Sequence, residues 1–243
     1  MSRVRSSRHQ LLLQQGISNP FFMKYTTIPL LIVGLHLLVL PNAHAQAGLR
    51  VGGSLAGYVA SNNNNFRNTT GSQLGYQVGA FYQVQLTRRL SLVPEVQYSH
   101  ERLTLTRTNT LGFEGGYNSY YQTRLSYLNV PVFLRATFKA VYVEVGGQAS
   151  TLLGGRETGE ATIGETAAAP GSSYRVDRAV VGRYQRLDFG PSAGVGAKLP
   201  GGLSIDLRVY QGLRSLTQGI EAATGYLYRQ TAQAAVTYQF GRR

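Results

Sequence analysis

From residue 46 onward hydrophobicity alternates with period 2, segment after segment, and no stretch is apolar for eighteen residues. A period of two belongs to strands, because successive side chains leave opposite faces. In 74–87 the even positions read Leu74, Tyr76, Val78, Ala80, Tyr82, Val84 and Leu86, against Gly75, Gln77, Gly79, Phe81, Gln83, Gln85 and Thr87. The last segment repeats this: Tyr228, Ala232, Ala234, Val236, Tyr238 and Phe240 oppose Arg229, Thr231, Gln233, Thr237 and Gln239. Segments 48–61, 90–108, 120–138, 141–157, 184–199 and 203–216 bring the expected total to eight strands. Within 90–108 the strict phase is lost near His100, as a β-bulge would cause.

The connections sort by parity. Strands two, four and six are followed by tight links, Arg88-Arg89, Lys139-Ala140 and Pro200-Gly201-Gly202, and the others by long ones at 62–73, 109–119, 158–183 and 217–226. Outer-membrane barrels join their strands by short periplasmic turns and long external loops. A soluble sandwich has no reason to sort its loops this way. The expected fold is all-β: an eight-stranded antiparallel transmembrane up-and-down β-barrel of outer-membrane type. A soluble lipocalin-type barrel is the alternative, with its apolar parity turned inward.

Two patterns favour the membrane. The polar parity carries Arg50, Glu95, Arg135, Glu144, Asp188, Lys198, Asp206 and Arg208, four acids and four bases suited to a narrow lumen where each charge needs a partner. On the apolar parity, aromatics sit near strand ends: Tyr82, Phe138, Tyr238 and Phe240 towards the tight turns, Tyr76, Tyr98 and Tyr228 towards the long loops. That placement matches two interfacial girdles.

Ahead of the strands, 28–40 (IPLLIVGLHLLVL) is a thirteen-residue apolar run behind Met23-Lys24 and before Ala43-His44-Ala45. A basic start, a short apolar run and an A-x-A site make a secretory signal, cleaved before Gln46. The run is shorter than the roughly 20 residues of a spanning helix, the retained-anchor alternative. Met23 is the expected start, residues 1–45 the extension and signal, and 46–243 the barrel domain. The runs 62–65 and 167–173 read as flexible loop.

Composition narrows the function. Without Cys there is no disulfide framework, thiolate metal site or lipidated N-terminal Cys. Of the net charge of +13, Arg3, Arg5, Arg8 and Lys24 belong to the leader, leaving +9 from Gln46 onward. Those basic residues are scattered, which argues against nucleic acid and suits anionic lipopolysaccharide or anionic solutes.

The segment Leu125-Ser126-Tyr127-Leu128-Asn129-Val130-Pro131-Val132-Phe133-Leu134-Arg135 resembles the YL-x-[IV]-P strand of the Bacteroidota-type outer-membrane β-barrel family, the PorT-like porin-family group. Similar too are the Gly-rich opening Gly48-Leu49-Arg50-Val51-Gly52-Gly53, the Asp188-Phe189-Gly190 to Gly194-Val195-Gly196 strand, and the terminal Tyr238-Gln239-Phe240. The resemblance spans 46–243 and implies an outer-membrane barrel inserted by the assembly machinery. Gly241-Arg242-Arg243 after the terminal aromatic departs from an ordinary assembly signal ending in Phe.

Candidate chemistry is sparse. His100 is the sole histidine after the leader, but its neighbours Ser99 and Glu101 lie on the opposite strand face unless the bulge re-aims one, which leaves a partner from an adjacent strand as the other route to a Ser-His set. The inward charges read as a packed ion-pair core or as a selectivity filter. The outer halves of the third and fourth segments, 103–106 and 120–123, would project as a ribbon whose edge recruits another strand. No cofactor or metal motif is present. Three readings stand in order: a non-enzymatic structural or interaction barrel acting through its external loops, with an extracellular or envelope protein as partner; a small-solute diffusion pore; and a lipid-modifying enzyme.

Overall fold

The computed structural model describes residues 45–60, 66–109, 116–165, 171–180, 182, 184–216 and 227–241. The strands are β1 (Ala45–Ala60), β2 (Phe66–Gln85), β3 (Leu90–Asn109), β4 (Gly116–Phe138), β5 (Val141–Glu165), β6 (Ser172–Ala179), β7 (Leu187–Lys198), β8 (Leu203–Ser215) and β9 (Leu227–Gln239). Eight of them close an antiparallel ring in the order β1-β2-β3-β4-β5-β7-β8-β9, with β9 returning to β1 from Gly48↔Gln239 to Ala60↔Leu227. Closure removes every edge at that level, which a sheet in lipid requires because no water is there to satisfy an open edge.

The three tight turns are local devices. Thr87 Oγ1 accepts the Leu90 N–H at 3.1 Å between β2 and β3. Between β4 and β5, Lys139 holds φ 55°, the left-handed backbone a hairpin needs, although it is not glycine. A 3-10 turn at Pro200–Gly202 links β7 to β8, with Gly201 at φ 74°.

Orientation follows the parity. Leu207 and Val145 face outward at 61% and 60% exposure, whereas Gln77 and Asn129 face the interior at 0%. Apolar residues on the exposed face and polar ones inside are the reverse of a soluble barrel, so the lipocalin alternative fails.

Three expectations need correction. The ring has eight strands, but β6 is a ninth outside it, pairing with the outer half of β5 from Arg156↔Ala179 to Ile163↔Ser172, where the sequence suggested loop. The bulge expected near His100 lies in β2, between Gln73 and Tyr76; inward positions of β3 stay odd from Ser91 to Leu105. Finally, the strands overrun their expected ends: β2 begins at Phe66, and 158–165 continues β5. Ser172 and Ser173, read as flexible, belong to β6. The leader, Ala43 included, the run 62–65 and the loop 217–226 lie outside the described residues; Ala45 and Gln46 open β1.

The overrun has one cause. A strand spans a bilayer in about 9–11 residues, yet β5 has 25. Beyond the lipid-facing stretch its alternation inverts. Leu103 and Leu105 of β3, Tyr121 and Leu125 of β4, Ala161 of β5 and Val176 of β6 turn inward into one buried cluster with Tyr58, Tyr127, Leu152 and Leu227. Arg102, Gln122, Arg124 and Glu160 face outward. Water outside, instead of lipid, swaps which parity must be apolar.

Candidate functional site

Two regions hold the chemistry-bearing side chains: the lumen and the outer surface where the two alternation regimes meet.

In the lumen, Arg208 of β8 reaches across to Glu95 of β3, Nη1 to Oε2 at 2.8 Å and Nη2 to Oε1 at 2.6 Å, and its Nε donates to Glu144. Glu144 also accepts from Arg135 Nε at 2.9 Å, and Arg50 Nη1 donates to Asp206 at 2.6 Å. Three guanidinium groups thus meet three carboxylates, charge-balanced and dry enough to be costly if broken. Gly194 and Gly196 of β7 make the room: a Cβ on the first would lie 2.8 Å from Arg208 Cγ, and one on the second would run into the Tyr142 ring. That ring lies under the Arg135 guanidinium at 4.2 Å.

Nearer the loop end is a second rung. Arg229 of β9 donates through Nε to Glu101 of β3 at 3.1 Å and through Nη1 to Ser150 of β5 at 3.0 Å, with the Tyr127 ring 4.1 Å below its charge. Neither Glu101 nor Arg229 was singled out as a lumen charge from sequence. Their only signal was parity, since both stand among polar inward positions. Asp188 sits outside the first cluster, accepting from Tyr210 Oη at 2.8 Å, and Lys198 is half-buried near the turns, donating to Thr137 at 3.2 Å.

Arg50 Nε and Nη2, both amide atoms of Gln77, Ser54 Oγ and Thr231 Oγ1 are buried without a protein partner. Buried groups of this kind are met by water. Both rungs cross the interior, one from β3 to β8 and one from β3 to β9.

The seven aromatics named from sequence all project outward. Tyr238 and Phe240 pack edge to face at 5.3 Å near the turns. Tyr76 and Tyr98 lie 6.3 Å apart, and Tyr76 stacks on His100 at 5.4 Å. Tyr82, Tyr98 and Tyr228 are half-exposed, Phe138 exposed. His100 Nδ1 is 3.1 Å from Ser126 Oγ of the adjacent strand, while Ser99 and Glu101 point into the lumen; among the described residues no carboxylate hydrogen-bonds to His100.

One residue pair above Ser126 the surface changes. Arg102 of β3 stands opposite Arg124 of β4, and Arg124 opposite Arg156 of β5, all on the outward face. Arg156 is held by Asp177 of β6, Nε to Oδ1 at 2.6 Å and Nη2 to Oδ2 at 2.8 Å. Those hydrogen bonds hold the Asp177 carboxyl below its ordinary value. Among the described residues no acidic side chain pairs with Arg102 or Arg124. The ribbon edge expected on β3 and β4 is covered, because β2 and β5 flank them to their outer ends. Among the described strands, β6 is the one with a single partner.

A family model described as outer membrane protein beta-barrel domain matches residues 41–218. Among solved structures, Neisserial surface protein A (NspA) is similar at 12% identity and a TM-score of 0.44, covering 81% of this chain and 99% of that one. Ail, the attachment invasion locus protein of Yersinia pestis, is similar at 8% identity and a TM-score of 0.40 over 81% and 99%. OprG of Pseudomonas aeruginosa is similar at 9% identity and 0.40 over 82% and 98%. No match was found among curated proteins.

Proposed function

This chain belongs to the outer membrane protein β-barrel domain family, and from that premise we propose a non-enzymatic scaffold, closed to solutes, that works through the sheet it raises outside the membrane. It is an eight-stranded barrel of the outer membrane. One observation carries the proposal: the alternation inverts above the aromatic belt, so the chain builds a second, water-facing structure on its membrane anchor. A barrel needed only as an anchor or a pore has no use for strands of 20 to 25 residues in β2 to β5. The partner we infer is an extracellular or envelope protein. Export by the leader ending at Ala45 and insertion by the assembly machinery belong to the same reading. So does a place in the PorT-like, Bacteroidota-type group, supported by the Tyr127-Leu128-Asn129-Val130-Pro131 strand.

Three measurements test it. The mature chain refolded into planar bilayers is expected to give no steady conductance steps; steps in the unsubstituted protein overturn the closed-scaffold reading in favour of a diffusion pore. In intact cells, a photo-reactive residue at outward-facing Tyr120, above the Arg row, is expected to crosslink a protein, and one at Leu207 only lipid. Absence of any protein adduct at Tyr120 overturns the interaction role. His100→Ala is expected to leave lipid A mass unchanged.

A further inference from the structure

We propose that the row Arg102–Arg124–Arg156 is a docking site for the phosphate headgroup of an outer-leaflet glycolipid, with Arg102 and Arg124 as the anion-holding pair. Like charges directly opposite each other on neighbouring strands destabilise a sheet, and here two such pairs occur side by side. Asp177 offsets Arg156 and leaves the other two uncompensated. A surface built this way is completed by an anion from outside the chain.

Its height says which anion. Directly below on the same outward face lie His100 and Ser126, paired across β3 and β4, then Tyr98 and Leu128. Tyr76 and His100 form a stacked platform there. Above, the outward residues are Thr104 and Gln122. Two residues of strand rise about 7 Å, so the arginines stand that far along the strands above the Tyr76–His100 platform. A phosphorylated lipid whose acyl chains run down the Leu128 and Val130 face brings its phosphate to this level. The guanidinium fork matches phosphate oxygens two at a time. A soluble anion meets the same two charges but has nothing for the apolar surface below them.

The test uses the full mature barrel in phosphatidylcholine vesicles containing fluorescent bisphosphorylated lipid A, dephosphorylated lipid A or neither. Wild type is expected to bind the phosphorylated lipid, and Arg102→Gln/Arg124→Gln to bind it at least tenfold more weakly. Arg88→Gln/Arg89→Gln, which removes the same charge at the turn end, is expected to change binding less than twofold. Thermal midpoints give a second readout of opposite sign: the Arg102/Arg124 variant should unfold at a higher temperature than wild type in phosphatidylcholine alone and at a lower one with lipid A. Equal binding by both variants, equal retention of dephosphorylated lipid, or full competition by millimolar inorganic phosphate would each overturn the assignment. Conductance is untouched by this variant, so the outcome is separable from that of the closed-scaffold test.

Discussion

The membrane-embedded ring and the sheet above it share strands β2 to β5 yet obey opposite rules. In the ring, Leu207 and Val145 face lipid and Glu95, Glu144 and Arg208 face inward; above Arg102 and Arg124, Leu103, Tyr121 and Ala161 face inward and polar side chains face water. The backbone of β3 and β4 continues from one to the other with its facing kept by the pleat, while a β5 bulge at Leu153 moves that strand's inward positions from even to odd where Ser126↔Gly154 gives way to Tyr127↔Leu152. Solvent on the outer side, not secondary structure, decides which residues are apolar. A lumen walled in by apolar outer faces must hold its polar groups in mutual contact, whereas the upper sheet is stabilised as a soluble protein is, by apolar burial.

The largest effect should come from breaking a lumen rung. Glu101→Ala leaves Arg229 buried without its carboxylate and is expected to cost about 3–5 kcal/mol, while Glu101→Leu/Arg229→Met should recover most of that loss. Urea titration of the refolded barrel reads both. A smaller loss of about 2–4 kcal/mol, confined to the upper sheet, is expected for Leu105→Ala, since a buried leucine is exchanged for a cavity. Limited proteolysis would show cleavage above Arg124 while heat-modifiable migration of the ring persists. Next is a paired charge insertion. Leu207→Arg should cost about 2–4 kcal/mol, as lipid-facing cations do near the midplane; Gln122→Arg, on the same outward face but above the bilayer, should cost under about 0.5 kcal/mol. Similar costs for the two would erase the distinction between the regions. Smallest is Lys139→Gly at the β4–β5 turn, where relieving the positive φ is expected to gain up to about 1 kcal/mol by the same titration.

Much of the ring was legible from residues alone. The alternation in 74–87 and 228–240 places Leu74, Val78, Ala234 and Val236 on one face and Gln77, Gln233 and Thr237 on the other, and tight links such as Lys139-Ala140 fix the hairpins. The upper sheet was not legible, because a strand read by its lipid-facing apolar residues ends where lipid ends. Leu103 and Leu105 break that pattern without breaking the strand, which is why a bulge was expected at His100. In β6, Tyr174 and Val176 alternate with Arg175 and Asp177 too briefly to stand out from the small residues before them.

Facing is settled by the residues alone: period 2 puts Arg50, Glu95, Arg208 and Arg229 on the polar side of their strands, and loop parity orders those strands into a ring. Which of these charges meet was decided only by the tertiary structure. Arg208 finds Glu95, 113 residues away, and Arg229 finds Glu101, 128 away, because tilt and stagger on closure set the height at which each side chain enters the lumen. The same stagger lines up Arg102, Arg124 and Arg156 across three strands. Alternation is a property of each strand; relative height belongs to the closed sheet, and no single strand carries it.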